Sequence, residues 1–234
     1  MTTTQNEIRE QEMLNNVMVP TVYNKPDDIP STNFILMEYF DGVFSNDLND
    51  LEERTQYLKE LLTYGILSTW VLTYYHTDLH SGNIIYMKEN GILKVGIIDF
   101  GMVLKISDTG KEFLKSFAEI TNGVPKDNSI QIISTLLNIN IDKNKLKAEE
   151  IQQINDVYKK LALMISSGQG TDKEVFKIVE QFKSILKIKV KISLELFLII
   201  ISVSMANSTV VQLSKGDLKL VEETSKKVVS EILD

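Results

Sequence analysis

The chain has 234 residues, enough for one large domain or two small ones with a substantial hydrophobic core. Its 32 acidic and 25 basic residues give a formal net charge of −7, and this acidic balance without a basic cluster argues against a nucleic-acid partner. Cysteine is absent and histidine occurs twice, which excludes disulfides, thiol catalysis, thiolate metal centres and a histidine-rich metal site.

The beginning of the chain predicts irregular structure followed by one strand. Residues 1–12 are polar and lack the apolar core of a secretory signal. The prolines that follow, Pro20, Pro26 and Pro30, indicate an extended or turning segment. The apolar run at residues 33–38 then predicts a short buried strand, with a turn at residues 39–42.

A long helix and a hairpin are predicted next. From Asn49 to Trp70, apolar residues recur mostly at spacings of three and four, and acidic residues at the start suit the helix dipole. A polar loop follows at residues 76–83. Two short strands at residues 84–87 and 93–98 flank an Asn-Gly turn, which is a strong hairpin signal.

The remainder of the chain is predicted to be helical. The apolar segment at residues 194–206 is shorter than the roughly 20 residues that a membrane span needs, and it predicts a buried core helix. With no predicted signal or span, we expect a cytoplasmic protein. Helices are expected near residues 108–121, 127–138, 147–166, 171–187, 192–206 and 217–233.

Two short motifs carry the chemistry of this sequence. His76, Asp78 and Asn83 form the pattern H-x-D-x-x-x-x-N in the polar loop. The tripeptide D-F-G begins at Asp99, sixteen residues after Asn83, with the predicted hairpin between them. This order and spacing are typical of the catalytic and metal-binding loops of protein-kinase-like enzymes.

The residue types suit phosphoryl transfer. Asp78 can place a carboxylate beside an incoming hydroxyl, while Asn83 and Asp99 offer the oxygen ligands that Mg²⁺ prefers. Gly101 lets the backbone turn sharply after the metal ligand. Of the two histidines, His76 is expected to pack and hydrogen-bond; His80 could face the phosphates or brace the loop.

These motifs, together with segments at residues 19–23, 31–42 and 193–213, resemble the UbiB/AarF family of atypical kinases. The resemblance implies an α+β, mainly α fold, namely a protein-kinase-like C-lobe with a small hairpin that carries the catalytic and metal loops. Residues 1–42 would form an N-lobe remnant with a last strand and hinge, and residues 43–234 the C-lobe.

The resemblance also implies function. The chain would bind ATP and Mg²⁺ for phosphoryl transfer or ATP hydrolysis. By resemblance, Asp78, Asn83 and Asp99 are the catalytic residues, and Asn83 and Asp99 also hold the metal. The backbone groups of Glu38 and Phe40 would face the adenine ring, and His80 and Gly101 would contribute to cofactor binding. A membrane- or lipid-linked substrate is in keeping with this family.

The sequence departs from the family ahead of the hinge. The first glycine is Gly42 and the only earlier lysine is Lys25, so the phosphate-covering loop and the strand lysine are not evident. In kinase-like proteins the strand lysine pairs with a glutamate on a helix, the helix glutamate. Glu7 is a candidate for this residue, with Glu10 and Glu12 as alternatives. Three explanations stay open: an N-lobe that lies on a partner chain, a degraded relative that binds a partner without catalytic turnover, or weak nucleotide binding through the hinge and magnesium loops.

Further expectations follow from this departure. We expect little or no catalysis by the chain alone. The strand at residues 33–42 would lack its usual sheet partners. Apolar surface near residues 17–36 would be exposed, and a missing half would dock there.

Two other functions fit part of the sequence. Small-molecule phosphotransferases of the aminoglycoside or choline type share the loop of residues 76–83, although their metal loop usually reads D-[WFY]-[ED]. A non-catalytic interaction module is the alternative from a different class.

Overall fold

The computed structural model describes residues 2–23, 35–108, 110–112, 114, 130, 133–134, 139–166, 172–187 and 194–233. These residues form a mixed α+β architecture that is mostly helical and carries small sheets, which confirms the coarse fold class. The helices are α1 (Thr2–Glu10), α2 (Leu51–Trp70), α3 (Ala148–Ser166), α4 (Asp172–Leu186), α5 (Leu194–Leu213) and α6 (Leu218–Leu233). The strands are β1 (Val17–Met18), β2 (Tyr74–His76), β3 (Ile84–Glu89), β4 (Ile92–Ile97) and β5 (Val103–Lys105).

The strands make two small sheets among the described residues. In the first, the order is β1-β4-β3, with β3 and β4 antiparallel and β1 parallel to β4. The β3–β4 turn has positive φ at Asn90 (51°) and Gly91 (83°), as the Asn-Gly pair predicts for a two-residue hairpin. In the second sheet, β2 and β5 are antiparallel.

Helix α2 begins where its sequence signals place it. Asp50 is the N-cap, and its carboxylate accepts a hydrogen bond of 2.8 Å from the N–H of Glu53. Helix α5 continues to Leu213, beyond its predicted end at residue 206. The turn after it contains Lys215 and Gly216, which have φ of 54° and 82°, and the N–H of Gly216 donates to the Val211 carbonyl at 2.9 Å, which caps the helix.

The other predicted elements can be compared where the chain is described. The hairpin strands and helices α3, α4 and α6 lie within two residues of their predicted limits. The helices predicted at 108–121 and 127–138 fall largely outside the described residues, although residues 108, 110–112, 114, 130 and 133–134 are helical. Strands β1, β2 and β5 were not predicted, because two or three residues are too few to show the alternation of apolar and polar residues that indicates a strand.

None of the described helices is long and apolar enough to cross a membrane by itself. The segments Phe197–Leu213 and Leu218–Ile232 reach that length and apolarity only as a pair, and the pair is bent by 113°.

The buried side chains form two hydrophobic clusters that share α5. The first joins α1, β1, α2, the β3–β4 hairpin and the C-terminal end of α5, and the second joins β2, α3, α4 and the N-terminal half of α5. Ile199 and Ile200 lie in the second cluster, while Val210 and Leu213 lie in the first. Helix α5 therefore connects the helical part of the molecule to the hairpin.

The prediction of a buried strand at residues 33–38 is wrong. Ile35, Leu36 and Met37 are 63%, 52% and 42% exposed, and residues 33 and 34 lie outside the described ones. The segment is also not without a partner, because the N–H of Tyr23 donates to Leu36 at 2.9 Å and Val22 bridges Met37. An apolar run predicts burial only where another layer covers it, and the described residues supply no such layer here.

The expected exposed surface near residues 17–36 is correct only in part. Val17 and Val19 are 5% and 3% exposed, because β1 pairs with β4 and both valines belong to the first cluster. Tyr23, Ile35 and Leu36 are exposed, as expected.

The segment after Tyr39 packs closely against the hairpin. Val43 and Tyr86 exchange backbone hydrogen bonds of 2.9 and 2.8 Å. A Cβ atom on Gly42 would lie 2.6 Å from the carbonyl oxygen of Tyr86, and one on Gly96 would lie 2.6 Å from the Phe40 ring. Both glycines therefore allow a close approach that a side chain would prevent.

We expect Gly42→Ala to lower the free energy of unfolding by about 1–3 kcal/mol, because its Cβ would overlap backbone that cannot move easily. The matched control is Gly65→Ala in α2, where the new Cβ meets nothing within 4 Å. That control should raise the free energy of unfolding by about 0.5–1 kcal/mol, since alanine is the better helix former. Urea denaturation measures both; equal stability of the two variants would refute the close packing.

Candidate functional site

The two motif loops lie side by side because the strands at both of their ends are paired. The H-x-D loop (residues 77–83) connects β2 to β3, and the D-F-G loop (residues 98–102) connects β4 to β5. Since β2 pairs with β5 and β3 with β4, each loop begins beside the end of the other. The N–H of Thr77 donates to Met102 at one side, and the N–H of Ile98 donates to Asn83 at the other, both at 3.0 Å.

His76 connects the two loops through its ring. Nδ1 accepts a hydrogen bond of 3.2 Å from the N–H of Asp78, so the neutral ring carries its proton on Nε2, 3.3 Å from the carbonyl oxygen of Ile98. Phe100 packs edge-on against the ring, with centroids 5.2 Å apart. Burial lowers the pKa of His76, so the ring stays neutral. This is the packing and hydrogen-bonding role that the sequence predicts.

Asp78, His80 and Asn83 lie together in the H-x-D loop. The side chains of Asp78 and His80 are 31% and 48% exposed, and His80 Nε2 lies 3.7 Å from Asp78 Oδ2. Nδ1 of His80 accepts from the N–H of Gly82 at 3.1 Å, so this histidine braces the loop. Asn83 is buried, and its amide nitrogen donates to the Asp78 carbonyl at 2.9 Å, which leaves its amide oxygen as the potential metal ligand.

Asp99 occupies the first turn of the D-F-G loop with an unusual backbone. Its φ is 59°, and its Oδ1 accepts from the N–H of Gly101 at 3.2 Å. Aspartate tolerates the left-handed region because its short carboxylate can make this local bond. The side chain of Asp99 is exposed, so the loop presents a carboxylate to solvent.

The donor set suits a cation that also binds phosphate. The described residues contain no group of three or more His, Asp or Glu side chains that could hold a metal ion. Asn83 and Asp99 supply one amide and one carboxylate oxygen, and their two loops are joined by the Ile98–Asn83 hydrogen bond. Mg²⁺ is commonly bound through one or two protein ligands together with water and substrate phosphates, so these residues fit Mg²⁺.

The predicted hinge residues have different surroundings. The N–H of Glu38 donates to Thr21 at 2.8 Å, and the Glu38 carboxylate accepts from the N–H of Thr21 at 3.0 Å. Hydrogen bonds from Thr21, with the nearby charge of Arg9, lower the pKa of Glu38. The N–H of Glu38 is thus engaged, and its carbonyl is the group that could meet an adenine ring. Phe40 is 7% exposed, with its ring over Gly96 in the hairpin.

The candidate for the helix glutamate makes a contact within the chain. Oε2 of Glu7 accepts from the N–H of Thr73 at 3.1 Å, which ties α1 to the residue before β2. The role of Glu7 as the helix glutamate stays a prediction.

Two residues that contact the H-x-D loop were not predicted from the sequence. Ser202 and Thr209 on α5 are 1% and 2% exposed, and their hydroxyls each lie 3.1 Å from a carbonyl of the H-x-D loop, those of Thr77 and Leu79 respectively. Their spacing in the sequence is the feature that could have indicated this role, because two hydroxyl residues seven positions apart in an apolar helix lie on the same face.

Arg54 was also missed. It is 4% exposed on α2, and its guanidinium donates to the carbonyls of Gln212 (2.9 Å), Leu213 (2.7 Å) and Leu48 (2.7 Å). A cation at these last carbonyls stabilises the C-terminal end of α5. In the sequence, this role is indicated only by the position of Arg54, an arginine on the face of α2 that points to the core.

The comparison with family models gives one match, to the ABC1 atypical kinase-like domain, over residues 2–134. This match covers more than half of the 234 residues and includes both motif loops. The chain therefore belongs to the ABC1 atypical kinase-like family, which confirms the family resemblance. No curated protein matches the chain. The late resemblance at residues 193–213 lies outside the matched range.

The buried neutral state of His76 predicts a pH-dependent stability. Because burial lowers its pKa in the folded chain, the unfolded chain takes up a proton first as the pH falls below about 6.5. The melting temperature should therefore fall between pH 7.5 and 5.5, with about 2–4 °C lost per kcal/mol in a chain of this size. The measurement is thermal unfolding across this range.

The two histidines provide a matched pair for this test. His76→Gln should flatten the pH dependence, whereas His80→Gln, at an exposed position, should retain it. An undiminished slope in His76→Gln would show that another group is responsible.

Proposed function

We propose that this chain binds Mg–ATP and takes part in phosphoryl transfer or ATP hydrolysis of the atypical-kinase type. The observation that carries the proposal is the joining of the H-x-D and D-F-G loops at both ends, which brings Asp78, Asn83 and Asp99 into neighbouring loops. The family match over residues 2–134 supports the same class of chemistry.

The roles of the site residues follow from their exposure and contacts. Asp78 is part-exposed, so its carboxylate can orient an incoming hydroxyl or water and accept its proton. The amide oxygen of Asn83 and the carboxylate of Asp99 would hold Mg²⁺. When bound, the metal neutralises phosphate charge. His80, whose Nε2 faces Asp78 at 3.7 Å, would fix the direction of that carboxylate or contact a phosphate.

Nucleotide specificity would come from the hinge and the D-F-G loop. The carbonyl of Glu38 and the backbone of Phe40 would face the adenine ring, and the buried Phe40 side chain holds that segment against the hairpin. The N–H of Gly101 donates to the carboxylate of Asp99, which would hold the metal. The backbone of Gly101 would therefore lie close to the metal-bound phosphates.

Turnover needs more than these loops. Phosphoryl transfer depends on positioning and charge stabilisation, and Lys25 is the one lysine ahead of the hinge in these 234 residues. We propose that a polypeptide of this sequence binds nucleotide with little or no turnover by itself, and that a partner chain supplying the nucleotide-covering groups, or a membrane- or lipid-linked substrate, completes the reaction.

A second candidate is a non-catalytic interaction module. Exposed apolar residues at Ile35, Leu36 and Tyr39 favour it, because such side chains in one short segment suit a protein contact. A small-molecule phosphotransferase fits less well, since Asp99 is followed by Phe-Gly rather than by an acidic third residue.

Calorimetry with ATP, with and without Mg²⁺, tests the proposal. Saturable binding that strengthens with Mg²⁺ is expected, and Asp99→Asn should reduce the Mg²⁺-dependent affinity at least about tenfold by removing a charged metal ligand. The matched control is Asp156→Asn, the same chemical change at an exposed position of α3, which should bind like the unsubstituted chain.

The same preparations separate the candidates. Absence of binding at millimolar ATP in a folded sample would reject nucleotide binding and favour the interaction module. ATP hydrolysis by the polypeptide alone should stay near background. Measurable turnover that Asp99→Asn abolishes would contradict the expectation that further groups are needed.

A further inference from the structure

We infer that Ser202 and Thr209 of α5 are positioning residues that hold the H-x-D loop in its metal-binding geometry; this rests on the proposed function. The two hydroxyls contact the carbonyls of Thr77 and Leu79, which are the residues on either side of Asp78. The backbone that carries Asp78 is therefore held from both sides by one helix.

The geometry of α5 makes this contact possible. Residues seven apart lie on one face of a helix, separated along its axis by about 10 Å, or two turns. Both side chains are almost fully buried, at 1% and 2% exposure. Neighbouring residues on α5 enter both hydrophobic clusters, so the helix that carries the hydroxyls is itself anchored at two places.

Each hydroxyl also has a partner within its own helix. Ser202 Oγ lies 2.6 Å from the Leu198 carbonyl, and Thr209 Oγ1 lies 3.3 Å from the Met205 carbonyl. At Thr209 the loop carbonyl is the nearer acceptor, at 3.1 Å, so Thr209 gives the cleaner test. At Ser202 the helix carbonyl is nearer, and the hydroxyl is shared between the two acceptors.

The contacts within the loop explain how α5 would affect metal binding. The Asn83 amide donates to the Asp78 carbonyl, and the Asn83 carbonyl accepts from Ile98 at the base of the D-F-G loop. Movement of the backbone beside Asp78 would therefore shift the Asn83 amide, whose oxygen is the proposed ligand. Loss of such an outer contact typically weakens metal affinity by about 10–100-fold.

The test uses a matched pair of substitutions at one position. Thr209→Val keeps the shape of the side chain and removes the hydroxyl, whereas Thr209→Ser keeps the hydroxyl. We expect Thr209→Val to lower the Mg²⁺-dependent ATP affinity about tenfold and to leave the Mg²⁺-independent part unchanged. Thr209→Ser should restore the affinity. Ser208→Ala, at an exposed position of the same helix, is the control and should behave like the unsubstituted chain.

Hydrogen exchange gives a readout that does not depend on nucleotide. In Thr209→Val and Ser202→Ala, amides in residues 77–83 should exchange faster, while those in α3 stay unchanged. Faster exchange without any ATP binding by the unsubstituted chain would reject the proposed function and retain the loop contact. Unchanged exchange in residues 77–83 in Thr209→Val, with only a lower melting temperature, would overturn the inference.

Discussion

The backbone hydrogen bonds that join the two motif loops are the constraint on which the candidate site depends. Thr77 to Met102 and Ile98 to Asn83 connect the loops at opposite ends, and each bond continues a strand pairing. Fixing a residue in a loop costs about 1–2 kcal/mol of conformational entropy, and paired strands supply that order from outside the loop. The part-exposed carboxylate of Asp78 and the exposed carboxylate of Asp99 therefore lie on loops that are fixed at both ends.

Helix α5 extends this constraint to the rest of the molecule. It lies in both hydrophobic clusters, its end is held by the buried guanidinium of Arg54, and its hydroxyls reach the H-x-D loop. An arginine that donates to several buried carbonyls compensates much of its desolvation, because each bond to a charged donor is stronger than a neutral one. Helix α5 therefore contacts both hydrophobic clusters and the H-x-D loop.

Sequence patterns succeed where the structure depends on neighbours along the chain. The start of α2 near Asn49 and the turn at Asn90 and Gly91 involve contacts over a few residues, and both are found within two residues of their predicted positions. The family resemblance rests on local motifs, and the family match over residues 2–134 includes both motif loops. The strand predicted at residues 33–38 fails because its apolar pattern says nothing about which layer, if any, covers it.

The amino-acid sequence predicts the order of the helices and the hairpin, the two motif loops and the residues that we propose to meet a phosphate. The packing of the elements sets the rest: Val17 is buried beside β4 while Leu36 is exposed, and Ser202 lies against Thr77. Ser202 and Thr77 are 125 positions apart, and no periodicity records a contact at that separation. Burial and long-range hydrogen bonds depend on how the elements pack together, which is a property of the whole chain.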